Sequence, residues 1–148
     1  DLVRSRGLGD VYKRQTLHSF RVRFCETDLM GIVHHSNYLQ YFEAGRVEWL
    51  RRRGILYAEW TSSGIHTAVV EAVTKYHSPA KFDEELTCAT TLAEMGGASL
   101  VYSYRLSKGE TLVASGHTRL ACVDTSQKLT KMPREMRDVL LVAERPTP

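Results

Sequence analysis

The stretch Asp28-Leu29-Met30-Gly31-Ile32-Val33-His34-His35-Ser36-Asn37-Tyr38 holds the residues best suited to chemistry. A carboxylate, Asp28, comes before a glycine turn at Gly31 and then a helical pattern that starts at Asn37. The first N–H groups of a helix have no intrahelical acceptor, so they can stabilise a developing oxyanion. A carboxylate and an oxyanion donor facing one carbonyl are the minimal parts of an acyl-transfer hydrolase. Taken alone, the same pattern also suits an Asp that shapes a turn or caps a helix.

These groups need elements to hold them. Residues 18–27 alternate, with Phe20, Val22 and Phe24 on one face and Arg21, Arg23 and Cys25 on the other, which predicts a half-buried strand. Residues 37–53 predict a helix, with Asn37 and Gln40 as a capping pair, Arg51-Arg52-Arg53 at the end favoured by the dipole, and Gly54 as the left-handed stop. Its apolar residues cover more than one stripe, so the helix is expected to be central and wrapped. Gly45 within it costs about 1 kcal/mol of propensity against Ala, which makes sense where a sheet comes close. Glu48 and Arg52 form an i,i+4 pair on the remaining face. Strands follow at residues 66–77, 85–93, 99–107 and 111–124, with Gly96-Gly97 and Lys108-Gly109-Glu110 as tight connections. Pro133 opens a short C-terminal helix to about residue 143. Consecutive strands with short connections make an antiparallel sheet, so the fold class is α+β, one long helix against one sheet.

The length, 148 residues, suits one domain with a real core, and 43% hydrophobic content excludes intrinsic disorder. No apolar run is long enough for a membrane-spanning helix, and the basic N-terminal stretch does not read as a secretory signal. Cys25, Cys88 and Cys122 make neither a disulfide framework nor a zinc motif, which favours a cytoplasmic setting. The net charge of +3 is a weak hint of an anionic partner. Asp10-Val11-Tyr12-Lys13-Arg14-Gln15 is what GAT-GTG-TAT-AAG-AGA-CAG encodes, the end sequence of a transposon used in library preparation. Residues 1–15 are therefore expected to be adapter-derived, the other reading being a disordered native arm, with one domain over residues 16–148. Without those residues the net charge falls to +1.

Residues 23–43, Arg23-Phe24-Cys25-Glu26-Thr27-Asp28 through Asn37-Tyr38-Leu39-Gln40-Tyr41-Phe42-Glu43, closely resemble the signature of the 4-hydroxybenzoyl-CoA thioesterase-like hotdog family. In particular they look like its Tol-Pal-associated bacterial acyl-CoA thioesterase branch. Residues 76–86 resemble that family's entry to its third strand, and Thr130-Lys131-Met132-Pro133 its approach to the final helix. The resemblance implies a hotdog fold, a long central helix wrapped by a five-stranded antiparallel sheet with a short C-terminal helix. It implies an acyl-CoA thioesterase in which Asp28 is nucleophile or general base, and the oxyanion donor is the N–H of His35. A further reading of His35 is contact of its imidazole with the thioester or leaving group. Gly31, Val33, His34, Asn37 and Tyr38 are the expected substrate-binding residues around this pair. His34 departs from the branch, where an aromatic residue is usual. Asn37 is a candidate helix cap, and Tyr38 and Phe42 are candidates for core or acyl-pocket wall.

The expected substrate is acyl-CoA, with no cofactor beyond the CoA that belongs to it, and no metal. Lys75, Lys81, Arg119, Lys131 and Arg134 lie near strand ends or loops and are candidates for its phosphates. The resemblance implies a homodimer or homotetramer built through sheet edges. Nucleic acid is not an expected partner, since no basic patch is interleaved with aromatics. A rival reading is a non-catalytic acyl-CoA or acyl-carrier-protein binding module of the same fold, since fold alone does not decide function. Cysteine nucleophilic catalysis is disfavoured, because all three cysteines fit strand patterns.

Overall fold

The computed structural model describes residues 14–144. Its elements are β1 (Gln15–Arg21), a single 3-10 turn (Phe24–Glu26), α1 (Asn37–Arg51), α2 (Tyr57–Ser62), β2 (His66–Tyr76), β3 (Glu85–Met95), β4 (Ser99–Lys108), β5 (Thr111–Val123) and α3 (Arg134–Leu140). The strands form one antiparallel sheet in the order β1-β3-β4-β5-β2, and α1 lies in its inner face. This is the expected hotdog arrangement.

Alternation along the central strands builds that inner face. Leu86, Cys88, Thr90 and Leu92 of β3 and Leu100, Tyr102, Tyr104 and Leu106 of β4 are all buried. The helix answers with aromatics: Phe42 stacks on Tyr104 with ring centroids 4.5 Å apart, and Trp49 meets Tyr102 edge-on at 5.2 Å. Such pairs add about 1 kcal/mol each beyond their buried area. Two glycines allow the close approach. A Cβ on Gly45 would lie 2.6 Å from Thr90 Oγ1 and 2.9 Å from Cys88 Sγ. A Cβ on Gly116 would collide with the Val73 carbonyl oxygen and press on the Phe42 ring.

Four sequence expectations are corrected. First, β1 ends at Arg21 instead of running to residue 27. Its partner β3 begins only at Glu85, and beyond it the chain turns at Asp83, so the ladder runs out. Phe24 is consequently exposed instead of inward, and Cys25 is exposed instead of lying in a strand. Second, the short helix α2 went unseen, because six residues are too few to display a helical period. Third, Arg53 is not a solvated charge at the helix terminus. It is fully buried, with its guanidinium 3.7 Å above the Trp49 ring and Nη1 donating to Thr16 Oγ1 at 2.7 Å. Fourth, Asn37 and Gln40 do not cap α1: Ser36 is the cap residue, and no side chain caps the helix. The helix stop at Gly54 (φ 78°) and the Glu48–Arg52 ion pair at 2.8 Å are as expected.

Of residues 1–15, the first thirteen lie outside the described residues. Gln15 pairs with Thr91, and the Arg14 carbonyl accepts Trp49 Nε1–H at 2.7 Å. No helix among the described residues is long and apolar enough to cross a membrane.

Gly45→Ala should destabilise the fold by about 1–3 kcal/mol through overpacking, although Ala is the better helix former. Chemical denaturation is the check, and Thr90→Ala in the same chain should recover part of the loss.

Candidate active site

The loop between β1 and α1 is held at both ends by Glu26. Its carbonyl accepts the His34 N–H and Asn37 Nδ2, each at 2.9 Å. Its buried carboxylate accepts the Arg23 N–H at 2.7 Å and the Tyr41 hydroxyl at 3.0 Å, and the Arg23 guanidinium reaches Oε2 at 3.3 Å. Burial, then Glu26, pushes the Tyr41 phenol well above its ordinary range, so it stays a donor. Within this clamp residues 28–32 form a tight turn. The Asp28 N–H donates to the Ile32 carbonyl and the Gly31 N–H to the Asp28 carbonyl, both at 2.9 Å. Gly31 has φ 78°, a conformation that favours glycine. The Val33 N–H bonds to the Ala80 carbonyl at 2.8 Å, which fastens the loop to the chain entering β3.

The turn leaves Asp28 half-buried in an open cleft of about 460 Å³. Its Oδ1 accepts the Met30 N–H at 2.8 Å, and Oδ2 has no hydrogen-bond donor among the described residues. His35, Val33 and Tyr38 line the same cleft, so four of the sequence-expected residues come together with Asp28 included. The His35 N–H has no acceptor among the described residues, whereas the N–H groups of its neighbours His34 and Ser36 are both engaged. Gly31, His34 and Asn37 do not line the cleft; they shape it. His34 Nδ1 lies 2.7 Å from Ser36 Oγ, and Asn37 ties the helix start to Glu26.

Sequence reasoning missed three contributors. Glu26 stands inside the motif of residues 23–43, where its type alone points to no role. Tyr76 and His77 close the opposite wall of the cleft. The Tyr76 hydroxyl donates to the His35 carbonyl at 3.1 Å, and its ring meets Tyr38 edge-on at 5.2 Å. Burial and the neighbouring Tyr76 raise the Tyr38 phenol above its usual range, so it too remains protonated. The available signal was Pro79, which ends a strand and so marks its last residues as a tip.

Other chemistries find little support. Burial pushes the Cys88 thiol up to about 11, and burial raises Cys122 as well, so neither is an activated nucleophile. A second, narrower cavity of about 170 Å³ lies under α2. Arg46 lines it and donates to the Tyr104 hydroxyl at 3.0 Å.

Glu26→Ala should cost about 3 kcal/mol, since it leaves the Tyr41 hydroxyl and the Arg23 N–H without their acceptor. Tyr41→Phe removes one donor and should cost about 1 kcal/mol. Thermal unfolding measured on both variants checks the order.

With this geometry in place, the comparisons with known proteins fall into line. The family model of the thioesterase-like superfamily matches residues 22–140. The acyl-CoA thioester hydrolase YbgC of Escherichia coli is 30% identical over 105 residues, covering 70% of this chain and 78% of that protein. Among solved structures, a hypothetical protein from Thermus thermophilus shares 35% identity with a TM-score of 0.81, covering 85% of this chain and 95% of that one. DHNA-CoA thioesterase from Staphylococcus aureus shares 25% identity with a TM-score of 0.79, covering 84% of this chain and 85% of that one. The matched span runs from the end of β1 to the last residue of α3 and so includes the whole cleft, and the chain belongs to the thioesterase-like superfamily.

Proposed function

We propose that the protein is an acyl-CoA thioesterase, hydrolysing the thioester to the free acid and CoA. The observation that carries this reading is the juxtaposition in one cleft of the Asp28 carboxylate, with Oδ2 uncommitted, and the acceptor-free N–H of His35. The superfamily and the relatives described as acyl-CoA thioesterases support it. The match of residues 23–43 favours the Tol-Pal-associated branch within it.

In this reading the thioester carbonyl oxygen takes the His35 N–H, which holds the negative charge as the carbonyl carbon becomes tetrahedral. Asp28 serves in one of two ways. As nucleophile it bonds to the acyl carbon and expels the thiolate, and water then cleaves the mixed anhydride. As general base it takes a proton from the attacking water, and collapse of the tetrahedral intermediate expels the same thiolate. Thiolate is a good leaving group, so no strong acid is required. Val33, Tyr38 and Tyr76 offer an apolar and aromatic wall for the acyl group. A cytoplasmic setting completes the reading, with all three cysteines free.

We also infer a homodimer. β2 is a sheet edge whose Val69, Val70 and Val73 are exposed, and the loop tip beside Asp28 exposes Leu29 and Met30. An exposed apolar edge strand is a template for pairing with a second copy.

Asp28→Asn should lower thiol release from acyl-CoA by at least about 100-fold with unchanged folding, the scale of general-base catalysis. Full activity in this variant overturns the mechanism. Absence of hydrolysis by the wild type on short, long and aromatic acyl-CoAs favours the binding module instead. Sedimentation should show a dimer that Val70→Lys shifts towards monomer; a wild-type monomer contradicts the pairing.

A further inference from the structure

The His35 N–H belongs to the peptide unit that joins His34 to His35, and its direction depends on what holds that unit and its neighbours. The preceding unit is anchored, because the His34 N–H donates to the Glu26 carbonyl at 2.9 Å. The unit itself is bonded into the start of α1, because the His34 carbonyl accepts the Asn37 N–H at 3.0 Å. The following unit, between His35 and Ser36, has only long local ties. Its carbonyl receives the Tyr38 N–H at 3.5 Å, and its N–H reaches His34 Nδ1 at 3.3 Å. Its shortest bond comes from the sheet. The Tyr76 hydroxyl donates to the His35 carbonyl at 3.1 Å, and among the described residues this is the one hydrogen bond to that unit from outside the loop and α1.

Tyr76 comes to this carbonyl on a fixed support. It is the last residue of β2, paired with the buried Ala114 of β5. Just past it, the N–H groups of His77 and Ser78 both donate to the Val113 carbonyl, at 2.8 and 3.1 Å, and hold the strand end on the sheet. The Tyr76 ring stands edge-on to Tyr38 at 5.2 Å and to His35 at 6.5 Å, which sets the direction of the side chain. The Glu26 clamp thus locates the start of α1, and Tyr76 adds a second hold from the opposite wall of the cleft. Fixing the unit after His35 pins the His35 Cα, about which the N–H would otherwise turn. Direction matters here, because an N–H···O bond weakens steeply once its angle falls below about 120°. A donor already aimed also needs no reorganisation when charge develops on the oxygen.

We propose that Tyr76 is a positioning residue: its hydroxyl, by holding the His35 carbonyl, aims the His35 N–H at the thioester carbonyl oxygen. This inference rests on reading the cleft as an acyl-CoA thioesterase site. It gives the hydroxyl a duty apart from the wall that the ring offers to the acyl group. Tyr76→Phe separates the two, since it keeps the ring and removes the hydroxyl alone.

In Tyr76→Phe, kcat for an acyl-CoA should fall about ten- to a hundredfold, the scale of a misplaced reacting group, with KM within about twofold of the wild type. Two spectroscopic readouts, both made with Asp28→Asn to stop turnover, follow the aim of the donor. In ligand-free protein, adding Tyr76→Phe should move the His35 carbonyl-carbon resonance upfield. With bound acyl-CoA labelled with 13C at the thioester carbonyl, adding Tyr76→Phe should raise the infrared carbonyl stretch towards that of an unbonded thioester. An unmoved His35 resonance overturns the proposal, because the hydroxyl then does not hold that carbonyl. An unmoved stretch overturns it too, as does unchanged kcat, or a loss carried by KM alone, which is what a wall contact gives. A wild-type protein that binds acyl-CoA without hydrolysing it refutes the thioesterase reading, and the stretch still decides whether Tyr76 aims the His35 N–H. A protein that neither binds nor hydrolyses acyl-CoA refutes both.

Discussion

One buried residue, Glu26, fixes the geometry on which the candidate site depends. Its backbone carbonyl collects two donors from the start of α1, and its carboxylate collects four from the turn behind and the helix beside it. Charge-assisted hydrogen bonds of this kind are about twice as strong as neutral ones. Because the donors come from both sides of residues 28–32, the loop can neither swing away from α1 nor lengthen. Asp28 and His35 are seven residues apart in sequence, yet they face one cleft because Glu26 closes that distance.

The clamp works only if the helix itself is fixed against the sheet. Phe42 is held between Tyr104 and the bare backbone of Gly116, and Gly45 sets α1 down on Thr90 and Cys88. At the far end Trp49 and Arg53 tie the helix to β1 through Arg14 and Thr16. The helix is therefore located along its whole length, and its N-terminus inherits that position. Close packing transmits it, since a tightly filled core does not deform continuously.

The fold was legible because its two periods are clean. Leu100, Tyr102, Tyr104 and Leu106 alternate without a break, and the wide apolar surface of α1 matches a helix wrapped on several sides. Asp28, His35, Val33 and Tyr38 were legible because the motif keeps them at fixed offsets across one junction. What escaped depends on non-local partners. Nothing near Phe24 in sequence says that β3 begins only at Glu85, so the early end of β1 could not be read. Arg53 looks like a surface charge until Trp49 and Thr16 are placed around it. Tyr76 and His77 join the site only after β2 runs along the sheet edge and ends beside α1.

A local rule goes unmet at the start of α1. A helix of 15 residues ordinarily takes a side-chain cap, and lacking one costs about 1 kcal/mol. Here Asn37, a residue type able to cap, turns its amide to Glu26 instead, and His34 Nδ1 takes the Ser36 N–H. The donor left over is the N–H of His35. Local rules that fail while the surroundings are well satisfied tend to mark functional positions. In the proposed reaction this N–H is the donor offered to the substrate carbonyl oxygen. A thioester suits that proposal: its carbonyl oxygen accepts a hydrogen bond, and its thiolate departs without the acid that an amide or ester would demand. The donor is backbone, fixed by the same clamp that fixes Asp28, so the two groups of the proposed reaction share a single reference point in Glu26.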